Sequence, residues 1–405
     1  MSNSKPVLSK EPINKLYYLD GMRGLMAINV ILCHFICVYF PQMYFQSSAQ
    51  ESSGILSLFA TTPLSATVNG NIAVMYFMAL TGFLVGMSTF TKKAGGIGLF
   101  FKKSISRYTR LLPIIFIATL ITYFTMVFNF QKHLLITDSS VNIPFLQGYC
   151  NFSPNIKSLL INIFIKPFLS GSDYIGPFWT IKYEFLGYIL TLFLAMTLKD
   201  NKYRRFLYVG ASMLIMVLSV IGFPLADMHY VVFIMGLFVA DLKFNQNQTI
   251  LSKYYSSFLN SKLCLILCYV IGIYFSCCTM FKTPLYSWWF SIPVVNKSLL
   301  RGLGIAILIF AFTQTTKIQK VLSWKPFLAL GECSFETYAI HWPLMLSLEA
   351  YLFIVFRGNL SYNVSALLSF VITLPVIYLA SFLIHFLVEK YNKTLKRIKI
   401  QNNKI

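Results

Sequence analysis

The stretch YYLDGMRGLMAINVILCHF, residues 17–35, is built mainly from Leu, Met, Ile, Val and Phe, yet it carries Asp20, Arg23 and His34. The apolar residues read as the start of a membrane helix. Each ionisable group costs about 2.5 kcal/mol or more at the centre of a bilayer unless something uses it. At 100° per residue, Arg23 and His34 differ by about 20° in azimuth, and Asp20 and His34 by about 40°. All three therefore share one stripe of the helix. The helical rise puts His34 about 16 Å from Arg23 and about 21 Å from Asp20. Asp20 and Arg23 then lie at a membrane boundary, where they can pair at i,i+3. His34 lies near the midplane, beyond direct reach of Asp20. Taken alone, such a histidine can equally be a packing residue that bridges helices.

The rest of the chain agrees with a membrane setting. Of its 405 residues, 57% are hydrophobic and 12% charged, and mean hydropathy is +0.66. That charged fraction is about half the value for soluble domains. The net charge of +21 would suggest nucleic acid for a soluble protein; in a membrane protein it reflects basic cytoplasmic loops. Eight cysteines show no CxxC pair and no metal-ligand spacing with histidine, so neither zinc nor a disulfide framework is expected. A bond from Cys150 to Cys277 or Cys278 is sterically conceivable. The apolar run after residues 1–15 is too long for a signal-peptide core, so it reads as a retained first span.

Apolar runs of spanning length fall near 22–41, 72–90, 111–129, 175–197, 206–224, 262–281, 299–315, 333–356 and 364–388, with a shorter one at 229–242. The expectation is an all-α polytopic protein of about ten transmembrane helices with both termini cytoplasmic. On that topology the inner segments carry 25 Lys and Arg and the outer loops 7, as the positive-inside rule requires. Dropping 229–242 would put the loops after it on the wrong side. The segment SLLINIFIKPFL (158–169) is short and contains Lys166 and Pro167, which suits an interfacial or re-entrant piece. No internal repeat is evident. The expected organisation is a single membrane-embedded domain over 1–405, with 1–15 a cytoplasmic segment and 389–405 a basic cytoplasmic tail. The outer segment 130–174 is long enough to cap a site.

Other spans also carry polar groups. SRYTRLLP (106–113) sets Arg107 and Arg110 three apart at the cytoplasmic start of the third span. They share a face and could grip a phosphate or carboxylate, although basic flanks are common there. Pro113 is expected in the first turn, where proline is tolerated. Lys182 and Glu184 lie within the fourth span, with Glu184 at about the depth of His34. A buried Glu needs a partner, and a midplane His or Arg would serve. His341 follows Ser334 and Thr337 on one face. His133, His229 and His385 read as loop or boundary residues without a role. Gly82 and Gly86, four apart, are a packing signal for close helix approach.

The motifs LDGMRGLMAINVILCHF, YFMALTGFLVG, RYTRLLP, FWTIKYEFLGY, FIMGLFVA, LGECSFETYAIHWPL and FLVEKYNK occur in order along nearly the whole chain. In them the sequence resembles the acyltransferase-3 family of integral membrane acyltransferases. The resemblance implies about ten helices and transfer of an acyl group, usually acetyl from acetyl-CoA, to an extracytoplasmic glycan or lipid-linked glycan. It implies His34 as the catalytic histidine, Arg23 as an essential charge, and Arg107 and Arg110 as the paired arginines. Glu184 matches the family's acidic residue and His341 its late histidine. Glu389-Lys390-Tyr391 stands where the family has Glu-Arg-Pro, and Glu336 and Thr337 replace Ser or apolar residues. The soluble hydrolase-like domain of many bacterial members is not expected here.

Geometry and resemblance together suggest His34 as the base or nucleophile, with Glu184 fixing its tautomer. Asp20 and His341 would support, and Arg23, Arg107 and Arg110 would bind acyl-CoA, a co-substrate and not a bound cofactor. Membrane lipids and the acceptor are further expected partners, and a bacterial inner membrane is the expected location. A transporter remains the alternative, since midplane ionisable residues also mark transport paths. A scaffold would leave the charged stripe of residues 20–34 unexplained.

Overall fold

Asn69, Asp227, Ser261 and Asn296 each turn a side-chain oxygen onto a backbone N–H two or three residues ahead and so start a helix, as N-cap residues do. The computed structural model describes residues 16–45, 55–91, 95–245, 258–259, 261–279, 285–292 and 295–402; the expected cytoplasmic segment 1–15 lies outside them. The described residues are helical and contain no strand. The principal helices are α1 (Tyr17–Tyr39), α2 (Gly70–Phe90), α3 (Ile97–Val127), α4 (Gly176–Leu198), α5 (Arg204–Val220), α6 (Met228–Phe244), α7 (Lys262–Ser276), α8 (Lys297–Gln314), α9 (Ser334–Arg357) and α10 (Tyr362–Asn402).

Seven of these, α1–α4 and α8–α10, are long and apolar enough to cross a membrane. The other three expected spans are helices of 17, 17 and 15 residues, short of the roughly 20 residues a span uses. Two sequence expectations need correction. α3 begins at Ile97, well before the apolar run, so Pro113 lies inside the helix; the amphipathic turns carrying Lys102, Lys103 and Arg107 extend it beyond the apolar run. The 158–169 segment is two short helices, Ile156–Phe164 and Lys166–Leu169, broken at Ile165. All eight cysteines are free, and the Cys150 thiol donates to the Tyr174 carbonyl at 3.2 Å.

α2 is the most buried span (72%) and α10 the least (28%). α2 packs against α6, α4, α1 and α8. The α2–α6 crossing depends on glycine: a Cβ on Gly82 would lie 1.9 Å from the Phe233 carbonyl oxygen, and one on Gly236 1.9 Å from that of Ala79. No real side chain fits there, so the backbones touch. α5, α7 and α10 expose apolar rows such as Met213, Leu214 and Val217; Leu263, Ile266 and Val270; and Leu367, Val371 and Leu379, which suit lipid tails. Asp241 on α6 receives Arg204 and, at 2.5 Å, Arg205 from the start of α5, so one buried carboxylate is shared by two guanidinium groups. α9 contains Pro343 and then a π-helical segment, Met345–Glu349. Within that segment Glu349 is fully buried and neither carboxylate oxygen has a hydrogen-bond partner.

Candidate active site

α1 and α9 pack side by side and bring His34 and His341 together, with His341 Nε2 3.2 Å from His34 Nδ1. The tautomers follow from what surrounds them. His341 Nδ1 faces the Thr337 carbonyl at 3.2 Å, an acceptor, so this nitrogen carries the proton. Its Nε2 then has a free lone pair. His34 Nδ1 faces the Val30 carbonyl at 3.0 Å as well as that lone pair. Two acceptors converge there, so His34 Nδ1 carries the proton and shares it between them. His34 Nε2 keeps its lone pair. His341 is fully buried, whereas His34 is partly exposed, which leaves the bare nitrogen on the accessible ring. Trp342 stands edge-on to His34, with ring centroids 5.1 Å apart.

Val30 and Tyr338, which contact His34 and His341 respectively, line a cavity of about 370 Å³. Tyr338 is tied in place through its hydroxyl to the Pro177 carbonyl and to Thr180 Oγ1, the latter at 2.7 Å. Arg23, Arg107 and Arg110 also line this cavity, with Glu184 among them. Arg107 donates to Glu184 Oε2 at 2.6 Å, Thr81 Oγ1 donates to the same oxygen at 3.0 Å, and the Arg107 guanidinium lies over the Tyr188 ring. Glu184 Oε1 and Arg107 Nε are buried without a partner. Arg23 reaches Asp20 at 3.3 Å. Arg110 is exposed and makes no ion pair with another described residue. An anion entering this space would meet two accessible guanidinium groups, those of Arg23 and Arg110, and a third held by Glu184.

The residues singled out in the sequence therefore fall into two connected groups. Arg23, Arg107, Arg110 and Glu184 line the cavity, while His34 and His341 do not and are joined to it through Val30 and Tyr338. Asp20 lies outside the lining and pairs with Arg23, which lines it. The expected pairing of Glu184 with His34 is not formed: the carboxylate is taken by Arg107 and Thr81, and the polar side-chain partner of His34 is His341. The two arginines of RYTRLLP are not equivalent, since one is bound by Glu184 and the other faces open space.

Two histidines set aside on sequence are also placed differently. His385 lines the cavity with its Nδ1 3.0 Å from Glu336 Oε1. His133 is fully buried, with Nδ1 3.1 Å from the Leu346 carbonyl and Nε2 3.0 Å from that of Tyr149. Thr81, Thr180, Tyr188 and Tyr338 were not foreseen. Their sequence signal is a lone hydroxyl within an apolar run, which many packing residues share.

No curated protein and no solved structure matches the chain. The family model for an acyltransferase domain does match, over residues 16–386. With that match spanning nearly every residue of the helix bundle and its histidine–arginine cavity, the chain belongs to the acyltransferase-3 family of membrane acyltransferases.

Proposed function

We propose that the protein moves an acyl group, most simply acetyl, from a cytoplasmic acyl-CoA to a hydroxyl of an extracytoplasmic glycan. The observation that carries this reading is the histidine pair, with the bare Nε2 of His34, next to Val30 and Tyr338, which line a cavity that three arginines also line. Arg23 and Arg110 take the phosphates of CoA, and the pantetheine arm runs inward along the apolar wall of Val74, Phe77 and Leu80. The thioester then lies against His34. Residues 1–405 act as one membrane-embedded unit with both termini cytoplasmic, in a bacterial inner membrane.

In direct transfer, His34 Nε2 removes the proton of the acceptor hydroxyl. The acceptor oxygen bonds to the thioester carbon, the carbon–sulfur bond breaks, and the leaving thiolate takes the proton back from His34. The products are an ester and free CoA. His341 Nε2 accepts from His34 Nδ1–H throughout and stabilises the imidazolium formed in between. In the relayed variant, Nε2 bonds to the thioester carbon first and the CoA thiolate leaves; the acyl group then passes from Nε2 to the acceptor oxygen, whose proton goes to the thiolate.

The test is transfer of label from radiolabelled acetyl-CoA in inverted membrane vesicles, comparing wild type with His34→Ala and Arg110→Ala. Label in a glycan or lipid fraction with wild type, lost in His34→Ala, supports the reading. Label held on the wild-type protein and absent from His34→Ala supports the relay. Full activity in folded His34→Ala refutes both.

A further inference from the structure

Along α1 the arginine cavity comes first, at Arg23 and Val30, then His34, then the last turn at Cys37, Val38 and Tyr39. α9 runs the same way, from Tyr338 through His341 to Leu346 and Arg357. Residues 130–149 cover both helices beyond the histidines. The backbone N–H of Asn142 donates to the Val38 carbonyl at 2.9 Å, and its side-chain amide donates to that of Cys37 at 3.2 Å. His133 Nδ1 lies 3.1 Å from the Leu346 carbonyl, and Arg357 donates to Asp138 at 2.8 Å. The Tyr362 hydroxyl of α10 shares its proton between the Tyr39 and Ser140 carbonyls. Phe145 and Tyr149 stand edge-on to Trp342, with centroids 6.3 Å and 4.8 Å away, and Trp342 stands edge-on to His34. Trp342 is 1% exposed, so these rings stop that end of the site.

The segment holds itself together. Gln147 Nε2 donates to the Leu134 and Ile136 carbonyls at 3.3 Å and 3.1 Å, and His133 Nε2 lies 3.0 Å from the Tyr149 carbonyl. Asp138 and Asn142 accept the backbone N–H groups of Ser140 and Phe145. The two ends of the segment have unusual backbone. Asn129 has φ +56° and Cys150 φ +53°, and among the described residues no other non-glycine residue has a positive φ. Residues held in that region cluster at switch regions, and a hinge is a few loop residues that absorb a backbone change.

The attachments to the bundle are incomplete. Arg357 is 44% exposed at its pair with Asp138, where an ion pair contributes little. A neutral His133 has one N–H for two carbonyls, so one of them goes without. The Trp342 indole N–H and Gln131 Oε1 are buried without a partner. Each such group costs the shut arrangement free energy that water returns once the segment lifts.

We propose that residues 130–149 are a lid that swings about Asn129 and Cys150 and is latched by Arg357 and Asp138. Shut, it seals His34 on the side away from the arginine cavity. Lifted, it draws Phe145 and Tyr149 off Trp342 and opens a way to His34. On the acyl-transfer reading above, that way admits the acceptor, and the shut lid keeps water off the thioester.

The test reads access to His34 in purified protein in detergent. Diethyl pyrocarbonate modifies an imidazole at its bare nitrogen, and mass spectrometry resolves the rate at each histidine. His385, which lines the arginine cavity, is the internal standard. Asp138→Asn should raise the His34 rate by about fivefold, the most that an exposed ion pair allows, and leave His385 unmoved. Asp138→Cys/Arg357→Cys, bridged by a bis-methanethiosulfonate, should lower the His34 rate, and reduction should restore it. This second variant keeps the test decisive if the first does not fold. An unchanged His34 rate in either variant overturns the lid. So does a parallel rise at His34 and His385, which would mean general loosening. Neither rate depends on catalysis, so failure of the acyl-transfer reading would remove the acceptor and leave the lid standing.

Discussion

Replacing His341 with phenylalanine separates the roles of the two histidines. His34 Nδ1–H is shared between the Val30 carbonyl at 3.0 Å and His341 Nε2 at 3.2 Å. The carbonyl remains in His341→Phe, so the His34 tautomer is preserved and Nε2 stays bare. What is lost is the second acceptor when His34 becomes cationic. A hydrogen bond to a charged group contributes about 1.5–3 kcal/mol. At 1.36 kcal/mol per tenfold in rate, the expected loss in kcat is about tenfold to about 150-fold. The KM for acyl-CoA should hold, because His341 does not line the arginine cavity. His34→Gln should lose all transfer above background. The assay is initial-rate CoA release, with size-exclusion profiles to confirm folding. If His341→Phe is as inactive as His34→Gln while folded, His341 itself moves the proton and the tautomer argument is wrong. A rate equal to wild type would equally refute it.

Three further outcomes are expected. Glu184→Gln strands the Arg107 charge and should cost about 3 kcal/mol of stability; Arg107→Gln/Glu184→Gln should recover part of it, and equal melting temperatures for single and double variants in detergent would contradict the pairing. Arg110→Gln should raise the KM for acyl-CoA about fivefold at low ionic strength, since an exposed charge contributes up to about 1 kcal/mol, and the effect should shrink in high salt; a salt-independent loss of kcat would show a different role. Burial pulls the pKa of His133 below its usual value, although its two carbonyl contacts oppose the shift. A base whose pKa is lowered by folding stabilises above its unfolded value of about 6.5 and loses that contribution as pH falls from there toward the folded value. The drop in melting temperature from pH 7.5 to pH 5.5 should therefore be smaller in His133→Gln than in wild type, and an equal drop would show that the fold does not hold His133 neutral.

The charged stripe of α1 was readable because helical periodicity relates residues of one element. Arg23 and His34 are where that arithmetic puts them, and Gly82 marks the α2–α6 crossing that its small size implied. What escaped was pairing between elements. His34 and His341 are 307 positions apart, and Arg107 and Glu184 are 77 apart; depth alone could not decide which buried acid meets which base. Glu184 was assigned to the wrong partner because Arg107 was placed at the membrane surface, whereas its side chain is largely buried against Tyr188. His133 looked like a loop residue by composition, and only the fold reveals two carbonyls converging on it.

The polar load of α9 bears on how the protein is made. This one helix carries Glu336, His341 and Glu349, all buried. On insertion scales a charged residue at a helix centre opposes membrane integration by about 2.5–3.5 kcal/mol. Glu336 meets its partner His385 on α10, and His341 meets His34 on α1. α9 is apolar enough to enter the membrane, yet it enters with polar groups that lipid tails cannot pair. Two of them find partners only when α1, already in place, and α10, still to be synthesised, close around it. A chain stopped between residues 357 and 362 would leave Glu336 without His385.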